Sequence, residues 1–498
     1  MKFLCYAIFL AMLLMSCTTK PPLKDLELFQ QGRYQEFLDR QRTILQQVQR
    51  REDWPLAQVK SASAHLACQN YDAAEQFLTA VNSSIWAFDG NNEAKAFKQG
   101  EKKKVYKGDP FERAMVAFYL GILDYKSGNY ENALASCKTG LLSDAGTKEE
   151  RYQSDFAALY YLESLVYRAM GETDNAIKAE NLFRASLLSR ITLDVVCSTV
   201  KAVFAAMSKG SAQFKEAELV TATELLFAQL AQMSNEPSEL PLTILDSAIS
   251  RALVIAEERA TGVVLSAKNS DFACDWSLIV HYLSLIKIEC NSHISDIGEG
   301  RYAKFLNTAQ NDLNALLNNP GNVTVIIDLG IGPRKISAGS RGERVMICQQ
   351  PYMEKRAKVK VSGKSYDSIL IEDLNFQATT RGGRRMDFIL ENRAVYKDIS
   401  DAIGSYLAVT SIYTLPIASL IYLSSATVNA AADTRIWEVM PGEVHALSLN
   451  LEPGVYSLDV RFFDALGSEL PKMRQGIDNC IVIKDRPVLW YIRSGVKQ

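Results

Sequence analysis

Histidine is scarce in this 498-residue chain, which has only 4, and neither a His-x-x-x-His nor a Cys-x-x-Cys spacing occurs. Zinc sites built on those spacings are therefore excluded, and no metal or cofactor is expected. Basic excess is missing as well. Lys plus Arg total 55 against 57 for Asp plus Glu, a formal charge of −2, which leaves no electrostatic footprint for nucleic acid. The motifs of common hydrolases and nucleotide binders, G-x-S-x-G, H-E-x-x-H and the Walker loop, are all absent, and the chain is expected not to be an enzyme. Proline is sparse at 14 residues and charge stands at 22%, so long disordered stretches are not expected either.

Cysteine is present but not organised. Cys5 lies in the N-terminal apolar run, and Cys17 closes it. The seven others (Cys68, Cys137, Cys197, Cys274, Cys290, Cys348 and Cys480) are odd in number and widely spread, so they read as small packed hydrophobes rather than a disulfide framework.

What the chain does have begins at its N-terminus. Met1-Lys2, an apolar run from Phe3 to Met15 and small Ser16 describe a secretory signal over 1–16. The run is too short for a spanning helix of about 20 residues. Leu14-Met15-Ser16-Cys17 resembles the lipobox of bacterial lipoproteins, which implies lipidation at Cys17 and a short tether over 17–24. Thr18-Thr19, with no Asp after the cysteine, resembles an outer-membrane sorting signal, implying a lipid-anchored protein facing the periplasm.

Residues 25–318 carry helical periodicity, with apolar positions three and four apart from Leu26 to Val48 and beyond. Leu120-Gly121, Tyr125, Gly128, Tyr130, Ala133 and Leu141 form one unit, and Tyr160, Tyr167, Gly171, Ala176 and Phe183 a second. Weaker units surround Gly32-Arg33-Tyr34 and Asn70-Tyr71 with Ala74. The set resembles tetratricopeptide repeats: a glycine suits the turn between antiparallel helices, and a small residue permits their close approach. Further helices are expected over Leu219–Met233, Leu242–Ile255, Phe272–Ile288 and Tyr302–Leu317, capping or extending the array, with Lys102-Lys103-Lys104 in an exposed loop.

At Asn318-Asn319-Pro320-Gly321 the pattern changes, and 319–498 reads as an antiparallel, sandwich-like β unit. Strands are expected at Val323–Leu329, Val345–Ile347, Ala357–Val361 and Ser368–Ile371, with hairpins Glu443–Leu451/Val455–Phe463 and Cys480–Lys484/Val488–Ile492. Between 402 and 432 no charge appears. Pro416, many hydroxyls and three tyrosines there favour a packed apolar helical hairpin over a membrane span.

Asp109-Pro110-Phe111-Glu112-Arg113, Gly330-x-Gly332-Pro333-x-Lys335, Asp433-Thr434-Arg435-x-Trp437 and Pro453-Gly454-x-Tyr456, in that order, resemble an uncharacterised family of bacterial lipoproteins with a tetratricopeptide-like helical half and a C-terminal β half. The resemblance implies an α+β multidomain protein and brings no activity with it. Expected function is a lipid-anchored periplasmic scaffold or adaptor holding a protein or peptide partner in a helical groove lined by Tyr119, Tyr160 and Tyr167. Two alternatives stand beside it, a structural subunit of an outer-membrane assembly and an envelope enzyme with an unfamiliar site. Asp433, Arg435 and Trp437 form a further candidate cluster. Its plainer reading is structural: an Asp pairing, an Arg bonding carbonyls, a Trp in the core.

Overall fold

The computed structural model describes residues 24–86, 105–145, 156–187, 241–266, 276–297, 311–318, 320–338, 344–380 and 433–496, with isolated positions from 218 to 226. The signal, Cys17, the Lys102–Lys104 run and the uncharged segment 402–432 lie outside the described residues, as does nearly all of the helix expected at Leu219–Met233.

The N-terminal half is built of helical hairpins: α1 (Lys24–Gln30) with α2 (Tyr34–Leu45), α3 (Trp54–Ala67) with α4 (Tyr71–Trp86), α5 (Pro110–Ser127) with α6 (Tyr130–Ala145), and α7 (Ala157–Ala169) with α8 (173–187). Each turn passes through one left-handed residue, Gly32, Gln69, Gly128 or Gly171. The residue after it donates its N–H five positions back: Arg33 to Leu28, Asn70 to His65, Asn129 to Asp124 and Glu172 to Tyr167, at 2.8–2.9 Å. This is the long bond of a Schellman turn, which satisfies carbonyls that a helix end leaves open. One turn into each second helix, Phe37, Ala74, Ala133 and Ala176 are fully buried. Gly140 lets α6 approach its neighbours, since a Cβ there would lie 2.6 Å from Leu159 Cδ1 and 2.9 Å from Ala117 Cβ.

Helix α5 starts at a full capping box. Asp109 is the cap, Pro110 takes the first turn, where no N–H is needed, and the Glu112 side chain reaches back to the Asp109 N–H at 2.7 Å. Two longer helices, α9 (Pro241–Ser266) and α10 (Trp276–Ile297), pack on each other, and Ile249, Ala252 and Ala256 of the first and Ile279, Tyr282 and Ile286 of the second are buried. Both run past the ends expected from the sequence, at Ile255 and Ile288. Among the described residues no helix is long and apolar enough to cross a membrane. Helix α11 (311–317) ends the helical half and is tied to α8 by Arg184, which donates to Asn314 Oδ1 and Asn318 Oδ1.

The strands are β1 (Val323–Leu329), β2 (Arg334–Ala338), β3 (Arg344–Cys348), β4 (Arg356–Val361), β5 (Lys364–Asp367), β6 (Ile369–Asp373), β7 (Glu443–Leu449), β8 (Gly454–Phe463), β9 (Gln475–Val482) and β10 (Val488–Arg493). A short helix α12 (Leu374–Thr380) follows β6. Two four-stranded sheets result, β10-β1-β7-β6 and β5-β4-β8-β9, with β2-β3 as a separate ribbon.

Two expectations need correction. The sheet is not wholly antiparallel, because β10 pairs with β1 in parallel, Val323 facing Val488 and Asp328 facing Arg493. Nor do β7/β8 and β9/β10 form hairpins. Each turn carries the chain from one sheet to the other, so consecutive strands belong to opposite layers. Alternation marks a strand but does not say which strand it pairs with.

The two halves also share a buried core. Strand β1 is buried along its whole length. Val323, Val325, Ile327 and Leu329 face the second sheet, clustering with its Val359, Val460 and Phe462 and with Trp490 of neighbouring β10. Its other face, with Ile326, belongs to a cluster that runs from Leu26 through Phe118 and Leu159 to Trp437 and Tyr491. The first sheet is thus the middle of three layers, helices on one side and a sheet on the other. Helices α3 and α5 contact β10, and α7 contacts β6. The composition change near residue 318 marks a change of element, while the core runs across it.

Candidate functional site: the inner face of the helical hairpins

The helical face expected to hold a partner is filled by the chain's own strands. Tyr119 projects from α5 and is fully buried. Its hydroxyl donates to Asp328 Oδ2, which also accepts from the Tyr491 hydroxyl at 2.6 Å. Its ring meets those of Trp437 and Tyr491 edge-on, each with centroids 5.9 Å apart. Asp328 is the one acid in the apolar strand VTVIIDL. Burial pushes its carboxyl up, and the Arg493 charge and the two phenols oppose that. Arg493 is itself buried, and its Nη2 donates to the Gly330 carbonyl at 2.6 Å. Tyr160 is buried in the same helix layer. Tyr167 stays half-exposed at the end of α7, with the Lys138 ammonium 5.9 Å from its ring centre. Of the three tyrosines, only Tyr167 remains open to a partner.

The second cluster lies beside the first. Trp437 has no exposed surface; its indole N–H donates to Ser63 Oγ of α3 at 2.8 Å, and its backbone N–H donates to Glu112 Oε1 at 2.7 Å. Glu112 therefore caps its own helix and receives the strand-side segment, and its first oxygen also accepts from the Tyr106 hydroxyl. Arg435 forks onto Asp433 at 2.7–3.1 Å and reaches the Glu52 carbonyl and Asp53 Oδ1 at 3.1 and 3.2 Å. Burial by itself would raise the Asp433 carboxyl, but the bonds and charge of Arg435 hold it below the ordinary value. Lys335 from β2 pairs with Asp109 at 3.0 Å, and Lys60 pairs with Glu438 at 2.7 Å. Three of the four motif stretches singled out in the sequence thus meet along one seam. The fourth is remote: Tyr456 bonds the Glu452 carbonyl in the β7–β8 turn.

One constellation went unseen in the sequence. Ser368 Oγ lies 3.1 Å from His445 Nδ1, and His445 Nε2 lies 3.2 Å from Glu443 Oε2. The other Glu443 oxygen accepts from Tyr352 OH at 2.6 Å and Lys355 at 3.1 Å. Burial would raise Glu443, yet the imidazole, the phenol and the ammonium hold it at about 2. An ionised carboxylate only accepts, so Nε2 carries the proton facing Glu443, and in the tautomer that leaves Nδ1 bare Nδ1 accepts from the serine. Hydroxyl, imidazole and carboxylate stand in the order of a nucleophile relay. The serine is nevertheless committed to the backbone. Its Oγ accepts from the Ala357 N–H at 3.2 Å, and its own N–H donates to the Ala357 carbonyl. It holds the start of β4 to the start of β6. Glu443 and His445, two apart on one strand, were a legible same-face pair; Ser368 carried no such signal.

Among the described residues no three His, Cys, Asp or Glu side chains group to hold a metal ion. These features define a mixed α+β protein, with a helical N-terminal half and a strand-containing C-terminal part joined through a polar, buried seam. No family model, curated protein or solved structure matches the chain.

Proposed function

We propose that this chain is a lipid-anchored scaffold of the bacterial cell envelope, built on a tetratricopeptide-like array that engages a protein or peptide partner. The observation that carries the reading is the fourfold recurrence of one turn, with a single left-handed residue, the same bond five positions back and a buried residue one turn later. Repeated hairpins of this kind stack into surfaces suited to binding chains rather than to bond-making chemistry. Since the inner face is taken by β1, β10 and the Trp437 segment, contact with a partner falls to the outer helices. Leu142 on α6 and Ile177 and Leu182 on α8 are exposed at 64%, 46% and 48%. The signal and Cys17 supply the anchor. The alternative of a subunit within an outer-membrane assembly uses the same outer face and differs only in permanence.

Two measurements test the reading. Metabolic labelling with a palmitate analogue should mark the protein and be lost in Cys17→Ala; label retained in that variant defeats the anchor. Photo-crosslinkers placed at Leu142, Ile177 and Leu182 in cells should give a discrete adduct that the same group at Leu466, a solvent-facing turn residue, does not. Absence of any adduct at the three helical positions defeats the scaffold. The envelope-enzyme reading is met by a fluorophosphonate probe: stoichiometric labelling of Ser368 would establish it.

A further inference from the structure

A cleft of about 300 Å³ opens between α4, α5 and α6, away from the seam. Its wall is polar, with Asn82 from α4, and Asn132, Ser136 and Thr139 from α6. Two charged side chains line it, Glu75 of α4 and Asp124 of α5, and both are anions. The Asp124 carboxyl is pushed up to about 6, first by burial and then by the Glu75 charge, with the Ser136 hydroxyl opposing. At neutral pH two carboxylates therefore share a recess whose wall, among the described residues, carries no positive side chain. That is an unfavourable arrangement in isolation, and a cation would relieve it.

We propose that this cleft is a binding site for a primary ammonium group carried on a short apolar stem. A bare metal ion suits it poorly, because the volume belongs to organic ligands, at the small end of their range of about 300–1,000 Å³. An ammonium has three N–H donors and no acceptor, and the wall offers matching oxygens from carboxylates, amides and hydroxyls. Leu120 on α5 supplies apolar surface for the stem. The ligand chemistry is common to a free diamine and to a lysine side chain of another polypeptide. The inference rests on the helical hairpins alone and stands whether or not the chain is an envelope scaffold.

Binding is linked to protonation. The titratable group acting on Asp124 is Glu75 from α4; from α6 the buried Cys137 thiol, pushed well up first by burial, feels the Asp124 charge in turn. An ammonium favours the ionised Asp124, so affinity falls as pH drops through about 6.

Calorimetric titration of the full mature chain with 1,5-diaminopentane and with a short neutral peptide bearing one lysine tests this, at constant ionic strength, with 1-pentanol and calcium chloride as controls. Saturable binding of an amine at pH 7.5 is expected, about tenfold weaker at pH 5 and at least tenfold weaker in Asp124→Asn and in Glu75→Gln. Glu75 is exposed, so the second variant keeps the test valid if the first fails to fold. Tighter binding of the diamine assigns a free amine, and tighter binding of the peptide assigns a partner's lysine. Binding of neither amine, binding unchanged in both variants, or tighter binding of calcium or of pentanol overturns the proposal.

Discussion

Replacing Trp437 with alanine tests the shared core most directly. The indole sits among side chains of the helical half but is carried by the strand-bearing part, and none of it is exposed. A buried Trp removes about 150–250 Å² from water, which at about 25 cal/mol per Å² is worth roughly 4–6 kcal/mol. Trp→Ala changes in cores cost about 3–5 kcal/mol. The lost indole N–H adds little, because Ser63 keeps its own bond to the Val59 carbonyl. Loss of the edge contact with Tyr119 falls within the same range. A destabilisation of about 4 kcal/mol is expected, which speeds exchange through global opening roughly a thousandfold. Hydrogen exchange read on peptides from α3, α5, β1 and β10 is the assay. If one core joins the halves, all four sets of amides accelerate together. Acceleration confined to β1 and β10, with α3 and α5 unchanged, would show two separate cores and refute the reasoning. Trp437→Phe keeps most of the packing and should cost about 1–2 kcal/mol.

Tyr119→Phe removes one of the two hydroxyls on buried Asp328 and should cost about 2 kcal/mol in a urea titration; a loss under about 0.5 kcal/mol would mean the carboxyl does not depend on it. Gly128→Ala and Gly171→Ala both force a left-handed alanine, at φ 85° and 80°, costing about 1 kcal/mol each. At Gly128 the new methyl also meets Arg486 Nη2 at 2.5 Å, whereas nothing lies within 4 Å at Gly171, so the first melt should fall further; equal melting temperatures would remove that contact from the account. Glu443, held at about 2 against a usual 4.5, contributes stability that is complete above about pH 4.5 and lost as pH falls towards 2, at most about 3 kcal/mol. The Glu443→Gln variant should show a flatter acid melting profile over that window; an unchanged slope would place the acid sensitivity elsewhere.

Local features of this chain were open to a reader of the sequence because their causes are local. Gly128 and Gly171 announce helix ends, since only a residue tolerant of positive φ closes a Schellman turn. Asp109-Pro110-x-Glu112 announces a helix start through its own side-chain bonds. β-Branched Val323–Leu329 reads as a strand. The lone acid in that strand was an overlooked sign, because a buried carboxylate requires partners and Asp328 could have been expected to find them. The left-handed Gln69, by contrast, has no glycine to mark it.

Among the described residues, the sequence by itself determined the helical hairpins, their turns and most of the strands, since periodicity and capping act within a few residues. Tertiary structure alone decided that β7 and β8 lie in different sheets, that β10 runs parallel to β1, and that Tyr119 serves the chain's own core. It also brought Glu112 to the backbone of Trp437, 325 positions away, and Tyr119 to Asp328, 209 positions away. Contacts at such distances follow no spacing rule. They form because both faces of β1 must be covered, and the amphipathic hairpins that cover one of them are encoded hundreds of residues earlier.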